Sequence, residues 1–255
     1  MITFTGLKYK KVTDSLVIIP TYNEKENIEK IIRKVFSLSH AFDILIVDDG
    51  SPDGTATIIK NLQVNEFSGR LFIEERIGKL GLGTAYIHGF KWALSANITA
   101  IFRNGCRFQP QSRGFTSFTA GLCGWCRHEH RFALYQGREC CQLADEPCVD
   151  VLFCFSICSF ITGINIQDAT AGFVCFTREV LRTIPLEKIK FVGYAFQIEM
   201  KFTAIKYGFD VVEVPIIFTD RTEGTSKMST SIFKEAFFGV IQLKLGSIGK
   251  RYKRN

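Results

Sequence analysis

Three short polar segments in the first third of the chain carry the residue types that hold a nucleotide. They are Pro20-Thr-Tyr-Asn-Glu24, Asp48-Asp49, and Arg76 with Lys79 ahead of the Gly81-Leu-Gly83 turn. Tyr22 can stack on a nucleobase, while Glu24 and Asp49 can accept hydrogen bonds from ring N–H and ribose hydroxyl groups. Carboxylates suit a base and a sugar; they suit phosphates only when a cation lies between. Arg76, Lys79 and the glycine turn offer the positive charge and close backbone approach that a phosphate needs. Any one of these acids alone reads equally well as a helix cap. Their order along the chain points to a nucleotide. A fourth polar segment, Asp220-Arg-Thr-Glu-Gly-Thr-Ser-Lys227, places Arg221 to grip an anion through paired N–H bonds and Lys227 to neutralise a leaving diphosphate. A surface loop with incidental charges has the same composition.

The surrounding pattern predicts the elements that position them. Leu16 to Pro20 and Asp43 to Asp49 are short apolar runs that read as buried parallel strands, and Arg70 to Glu75 reads as a third. Glu24 to Phe36 and Gly81 to Leu94 have helical periodicity, with Ile28, Ile31, Ile32 and Val35 on one face of the first. Alternating strands and helices predict an α/β fold with a Rossmann-like, mostly parallel sheet flanked by helices, whose ligands bind at the carboxyl ends of the strands. Val211 to Phe218 is the last predicted strand, and Ser231 to Ile248 a C-terminal amphipathic helix whose Ile232, Phe233, Ala236, Phe237, Val240 and Ile241 stripe fits either the core or a membrane surface. Glu199, in an apolar helical pattern, is expected to face the site or meet a cation, the alternative being a partially exposed, merely structural Glu.

At 255 residues the chain suits one domain over 1–249 with a basic tail at 250–255. No apolar run is long enough to span a bilayer and the first residues lack a signal-peptide pattern, so a cytoplasmic, peripheral protein is expected. The net charge of +7, concentrated partly at Lys250, Arg251, Lys253 and Arg254, suits anionic lipid or phosphate rather than nucleic acid.

The segments Val17-Ile-Ile-Pro-Thr-Tyr-Asn-Glu24, Val47-Asp-Asp-Gly-Ser-Pro-Asp-Gly-Thr55 and Gly78-Lys-Leu-Gly-Leu-Gly-Thr-Ala-Tyr86 closely resemble the inverting family 2 glycosyltransferases, above all the polyprenol (dolichol) phosphate mannosyltransferases. DATAGF, GYAFQIEM, VPIIFTDR and GTSKM, from Asp168 to Met228, carry the same resemblance. It implies a GT-A type fold and transfer of mannose from GDP-mannose to a polyprenyl phosphate at the inner face of a membrane. It further implies that Pro20, Tyr22, Glu24, Val47, Asp49 and Lys79 hold the donor, that Arg221 and Lys227 serve the donor diphosphate and acceptor phosphate, and that Mg2+ or Mn2+ assists. Glucose and GlcNAc transferases share the first two motifs, and a nucleotide-sugar-binding pseudoenzyme is the other class open.

The middle of the chain departs from this pattern. Eight of the nine cysteines lie between Cys106 and Cys158, and where the family carries a DAD-type acid motif the chain has Arg103-Asn-Gly-Cys-Arg-Phe108. Cys123, Cys126, His128 and His130 are candidate zinc ligands, although the His spacing is short for a zinc finger. A disulfide module does not suit a reducing compartment. A third reading is that residues 96–159 are translated out of frame and pack poorly. If each original codon used the last two bases of a present codon and the first of the next, Arg103 before Asn104 permits Glu. Continued to Thr116, one permitted string is EMDADFSHNPEDLP, while Phe132 to Ala144 permits SRFIKGGNVVNWP and Glu146 to Ser159 permits SRVLMSYFASVYVR. All three resemble what these mannosyltransferases carry there, which implies an enzyme whose metal acids, and a family arginine, are lost from the chain as written.

Overall fold

The computed structural model describes residues 13–103, 131–138, 162–164, 166, 172–193, 195–217, 230–247, 249 and 251–253. Strands β1 (Ser15–Thr21), β2 (Asp43–Asp48) and β3 (Leu71–Glu75) alternate with helices α1 (Ile28–Phe36), α2 (Thr55–Asn65) and α3 (Leu82–Ser95). Then come β4 (Ala100–Arg103), β5 (Arg131–Arg138), β6 (Val174–Thr177), α4 (Arg178–Thr183), α5 (Ala195–Lys206), β7 (Asp210–Ile217) and α6 (Thr230–Ser247). The described strands form one sheet in the order β3-β2-β1-β4-β6-β5-β7. β3, β2, β1 and β4 run parallel, β6 is antiparallel to both neighbours, and β5 and β7 are parallel to each other.

The parallel half is built as its composition requires. Leu16, Val17, Ile18 and Ile19 in β1 and Ile44, Leu45, Ile46 and Val47 in β2 are wholly buried, because helices cover both faces of these strands. One core lies between the sheet and α3 with α5; the other lies against α1 and α2. Gly89 lets α3 approach β1 closely, since a Cβ there would lie 2.7 Å from Ile18.

One expectation is corrected in this part of the chain. Helix α1 begins at Ile28, not Glu24, because Asn23 adopts a left-handed φ of 57° and Glu24 to Asn27 close a turn in which Glu24 O accepts the Asn27 and Ile28 N–H groups. Strand β4, where the family resemblance places the acid motif that this sequence lacks, ends at a buried Arg103. Glu199 is buried in α5, and its Oε2 accepts the backbone N–H groups of Lys190 and Phe191, each at 2.9 Å. Backbone donors stabilise a buried carboxylate as a cation would.

Within 96–159, Ala100–Arg103 and Arg131–Arg138 join the sheet. Helix α6 packs through Gly239 and Val240 on α5: a Cβ at Gly239 would lie 3.1 Å from that of Ala195, and Val240 is buried. Phe238 and Leu245 stay exposed on its other side. Among the described residues no helix is long and apolar enough to cross a membrane.

Candidate nucleotide site

The carboxyl ends of β1, β2 and β3 converge because their ladders continue one residue past each strand. Asp49 N–H donates to Thr21 O at 3.0 Å, and Arg76 N–H donates to Asp48 O at 2.8 Å. Tyr22, Asp49 and Arg76 therefore emerge from adjacent strand ends. Gly50 makes the sharp exit from β2 possible: its φ is 70°, and a Cβ would lie 3.1 Å from both Arg76 O and Gly78 N.

The two neighbouring aspartates do different things. Asp48 is 1% exposed and spent on the turn, its Oδ1 accepting from Thr21 Oγ1 at 2.9 Å and Ser51 Oγ at 2.6 Å, and its Oδ2 from Ser51 N–H at 2.9 Å. Asp49 instead faces Arg76, whose Nε and Nη2 both reach its Oδ1, at 2.8 and 2.5 Å. Arg76 Nη1 goes on to Thr84 Oγ1 at 3.0 Å, in the first turn of α3. Arg76, expected to meet phosphate directly, is thus committed first to Asp49.

Tyr22 and Lys79 complete the mouth. Tyr22 is 37% exposed and Lys79 Nζ lies 5.1 Å from its ring centroid, a cation–π contact between an aromatic face and a mobile charge. The Tyr22–Glu24 loop is anchored to the turn after β2: Asn23 N–H donates to Ser51 Oγ at 3.0 Å, Glu24 N–H to Thr55 Oγ1 at 3.1 Å, and Lys25 N–H to Asp53 Oδ2 at 3.1 Å. Glu24 accepts from Asn27 Nδ2 at 3.1 Å. Pro20 lies beneath, half-buried at the end of β1. The Val47 side chain is wholly buried in the core.

Four of the residues that build this corner, Thr21, Ser51, Thr55 and Thr84, escape a search for charged or aromatic ligands. For Ser51, Thr55 and Thr84 the signal in the sequence is only a hydroxyl beside a glycine-containing turn, and Thr21 lacks even that. Arg221 and Lys227, and the candidate zinc ligands Cys123, Cys126, His128 and His130, lie outside the described residues.

The described residues do not fit a divalent metal. Among them no three His, Cys, Asp or Glu side chains gather, and the strand that should deliver acids ends in a cation. Arg103 is fully buried against the rings of Tyr86, Phe176 and Phe196, with its guanidinium carbon 4.8, 5.7 and 5.5 Å from their centroids. It bonds Gln197 Oε1 and, at 3.4 Å, Gly172 O, while Nε and Nη1 are buried without a hydrogen bond. Burial pushes its pKa down to about 10, against a smaller opposing pull from Tyr86.

Comparison with known proteins agrees with this architecture. Residues 16–101 match the family described as Glycosyl transferase family 2. The chain is 37% identical over 234 residues to the polyprenol monophosphomannose synthase of Mycolicibacterium smegmatis, covering 89% of this chain and 86% of that protein. It is 31% identical over 240 residues to the undecaprenyl-phosphate mannosyltransferase of Micrococcus luteus, covering 91% and 94%. The fold is similar to a mannosyl-3-phosphoglycerate synthase from Rubrobacter xylanophilus, with TM-score 0.62 and 15% identity over 92% of this chain and 74% of that one. It is also similar to a Pyrobaculum calidifontis mannosyltransferase solved with GDP-Man and Mn2+, with TM-score 0.55 and 14% identity over 90% and 69%. Both likenesses are those of GT-A transferases. The chain belongs to glycosyltransferase family 2.

Proposed function

We propose that this glycosyltransferase is built to move mannose from GDP-mannose to a polyprenyl phosphate with inversion, at the cytoplasmic face of a membrane, and that the chain as written is impaired. The observation that carries the donor side is the corner formed by Tyr22, Lys79, Asp49 and Arg76 at three adjacent strand ends. The names of the two bacterial relatives support mannose and a polyprenyl phosphate.

In this reading an oxygen of the acceptor phosphate attacks the anomeric carbon, and the bond from that carbon to the β-phosphate oxygen breaks with its electron pair passing to GDP. The acceptor arrives ionised, so no proton need be removed from it. Tyr22 holds the base, Asp49 and Glu24 accept from sugar and ring donors, and Lys79, Arg221 and Lys227 meet the charge of the diphosphate and acceptor. Divalent metal, when bound in such transferases, supplies charge stabilisation to the leaving diphosphate.

The impairment rests on Arg103. Ile98, Ala100, Ile101 and Phe102 are buried as a central strand requires, and Phe102 meets Phe42 edge-on with centroids 5.2 Å apart. Arg103 is the first residue whose charge the core does not meet, which supports loss of the reading frame after Phe102. A one-base shift restricts position 103 to Val, Ala, Gly or Glu, none of them cationic. The codons from 103 to 159 test this directly, because an intact gene read one base over must spell DAD. The printed chain and a frame-repaired one, assayed side by side with GDP-mannose, Mg2+ and a polyprenyl phosphate, test the function. We expect turnover from the repaired chain and GDP binding with little or no turnover from the printed one. Equal turnover would refute impairment; no turnover by the repaired chain with any nucleotide sugar would leave the binding-protein reading.

A further inference from the structure

We propose that Glu199 is a positioning residue that locks the loop before α5 and thereby sets the glycine turn carrying Lys79 at the nucleotide site. The inference rests on the nucleotide reading above and extends it to a residue remote from the ligand corner.

Glu199 is 5% exposed, and its Oε2 accepts the N–H groups of Lys190 and Phe191 at 2.9 Å each. Two charge-assisted bonds to consecutive amides hold that backbone in one conformation. The next residue of the loop, Val192, accepts the N–H of Gly83 at 2.8 Å. Loop and turn also interlock sterically: a Cβ at Gly83 would lie 2.8 Å from Phe191 O, and one at Gly81 3.3 Å from the Cβ of Val192. From the turn the contacts run into the site. Thr84 Oγ1 donates to Gly81 O at 2.7 Å and accepts from Arg76 Nη1 at 3.0 Å, and Arg76 holds Asp49.

The other wall of the site has anchors of its own, and meets this path at the Lys79–Tyr22 contact. Tyr22 and Glu24 hang on Ser51 and Thr55, in the turn after β2. Loss of Glu199 therefore loosens the cationic, phosphate-facing wall and leaves the base-facing wall in place, a selectivity that a general loss of stability does not produce.

Calorimetry of the full chain with GDP and with guanosine separates the two. We expect Glu199→Leu to weaken GDP binding about tenfold, the contribution of roughly one charge-assisted hydrogen bond, with guanosine within about twofold of the parent. Glu199→Gln keeps an acceptor oxygen and should bind GDP within about threefold of the parent. Gly83→Ala, which forces the turn off Phe191 from the opposite side, should reproduce the selective loss and decides the matter if Glu199→Leu does not fold. Unchanged GDP affinity in these variants, or equal losses for GDP and guanosine, overturns the positioning role alone. A parent chain that binds neither ligand overturns the nucleotide reading, and this proposal with it.

Discussion

Asp49 Oδ1 receives two nitrogens of Arg76, at 2.8 and 2.5 Å, in a pair whose side chains are 8% and 9% exposed. The pair ties the end of β2 to the end of β3. Removing one partner leaves the other buried and unmatched, which costs about 3 kcal/mol or more. Asp49→Ala should therefore lower stability by roughly that amount, and Asp49→Ala with Arg76→Ala by less than the two single changes summed. Urea unfolding of the four proteins checks it; additivity within about 0.5 kcal/mol would mean the pair contributes no coupling.

Position 103 should reward removal of its charge. Arg103→Val or Arg103→Met replaces a buried guanidinium having two unbonded nitrogens with an apolar side chain among aromatic rings. A gain of about 1 to 4 kcal/mol is expected, read as a higher midpoint in denaturant.

The same residue predicts a pH signature. Burial holds the pKa of Arg103 at about 10, below its unfolded value, so above that pH the unfolded chain binds the extra proton. Stability of the parent then rises with pH relative to Arg103→Val, and the gap between them narrows above pH 10. A gap that is constant or widens from pH 9 to pH 11 would contradict a charged, buried Arg103.

Tyr22 is predicted to act through its ring. Tyr22→Ala should weaken GDP by about tenfold, the usual contribution of one base stack, and Tyr22→Phe by little. Titration by calorimetry distinguishes them; loss of equal size in both would transfer the role to the hydroxyl.

Gly50→Ala should cost about 1 to 3 kcal/mol, since it places a side chain at a φ of 70° and brings its Cβ to 3.1 Å from two backbone atoms of the β3 exit. Its effect should extend to GDP affinity, because Gly78 lies one residue from Lys79.

The parallel half of the fold was legible because each strand there is buried on both faces and so appears as an uninterrupted apolar run closed by polar residues. β1, β2, β3 and α3 fall within a residue or two of where periodicity puts them. The start of α1 was less legible, since the left-handed Asn23 and the hydroxyls of Ser51 and Thr55 that hold its entry loop come from two separate segments. The role of Glu199 was hidden for the same reason. Two of its hydrogen-bond partners are backbone N–H groups, which no side-chain pattern encodes.

Composition and spacing alone determined that this chain is an α/β protein with an ordered set of polar residues at its strand ends, because burial periodicity and the order of polar residues are local properties of a chain. The sequence also gathers eight of its nine cysteines between Cys106 and Cys158. Only the tertiary structure decided that Asp48 is spent on a turn while Asp49 meets Arg76, that the Val47 side chain is wholly buried, and that Arg103 is sealed among Tyr86, Phe176 and Phe196. Those outcomes depend on which side chains and backbone groups distant segments bring within hydrogen-bonding reach, and on how much water the packed layers leave around a charge.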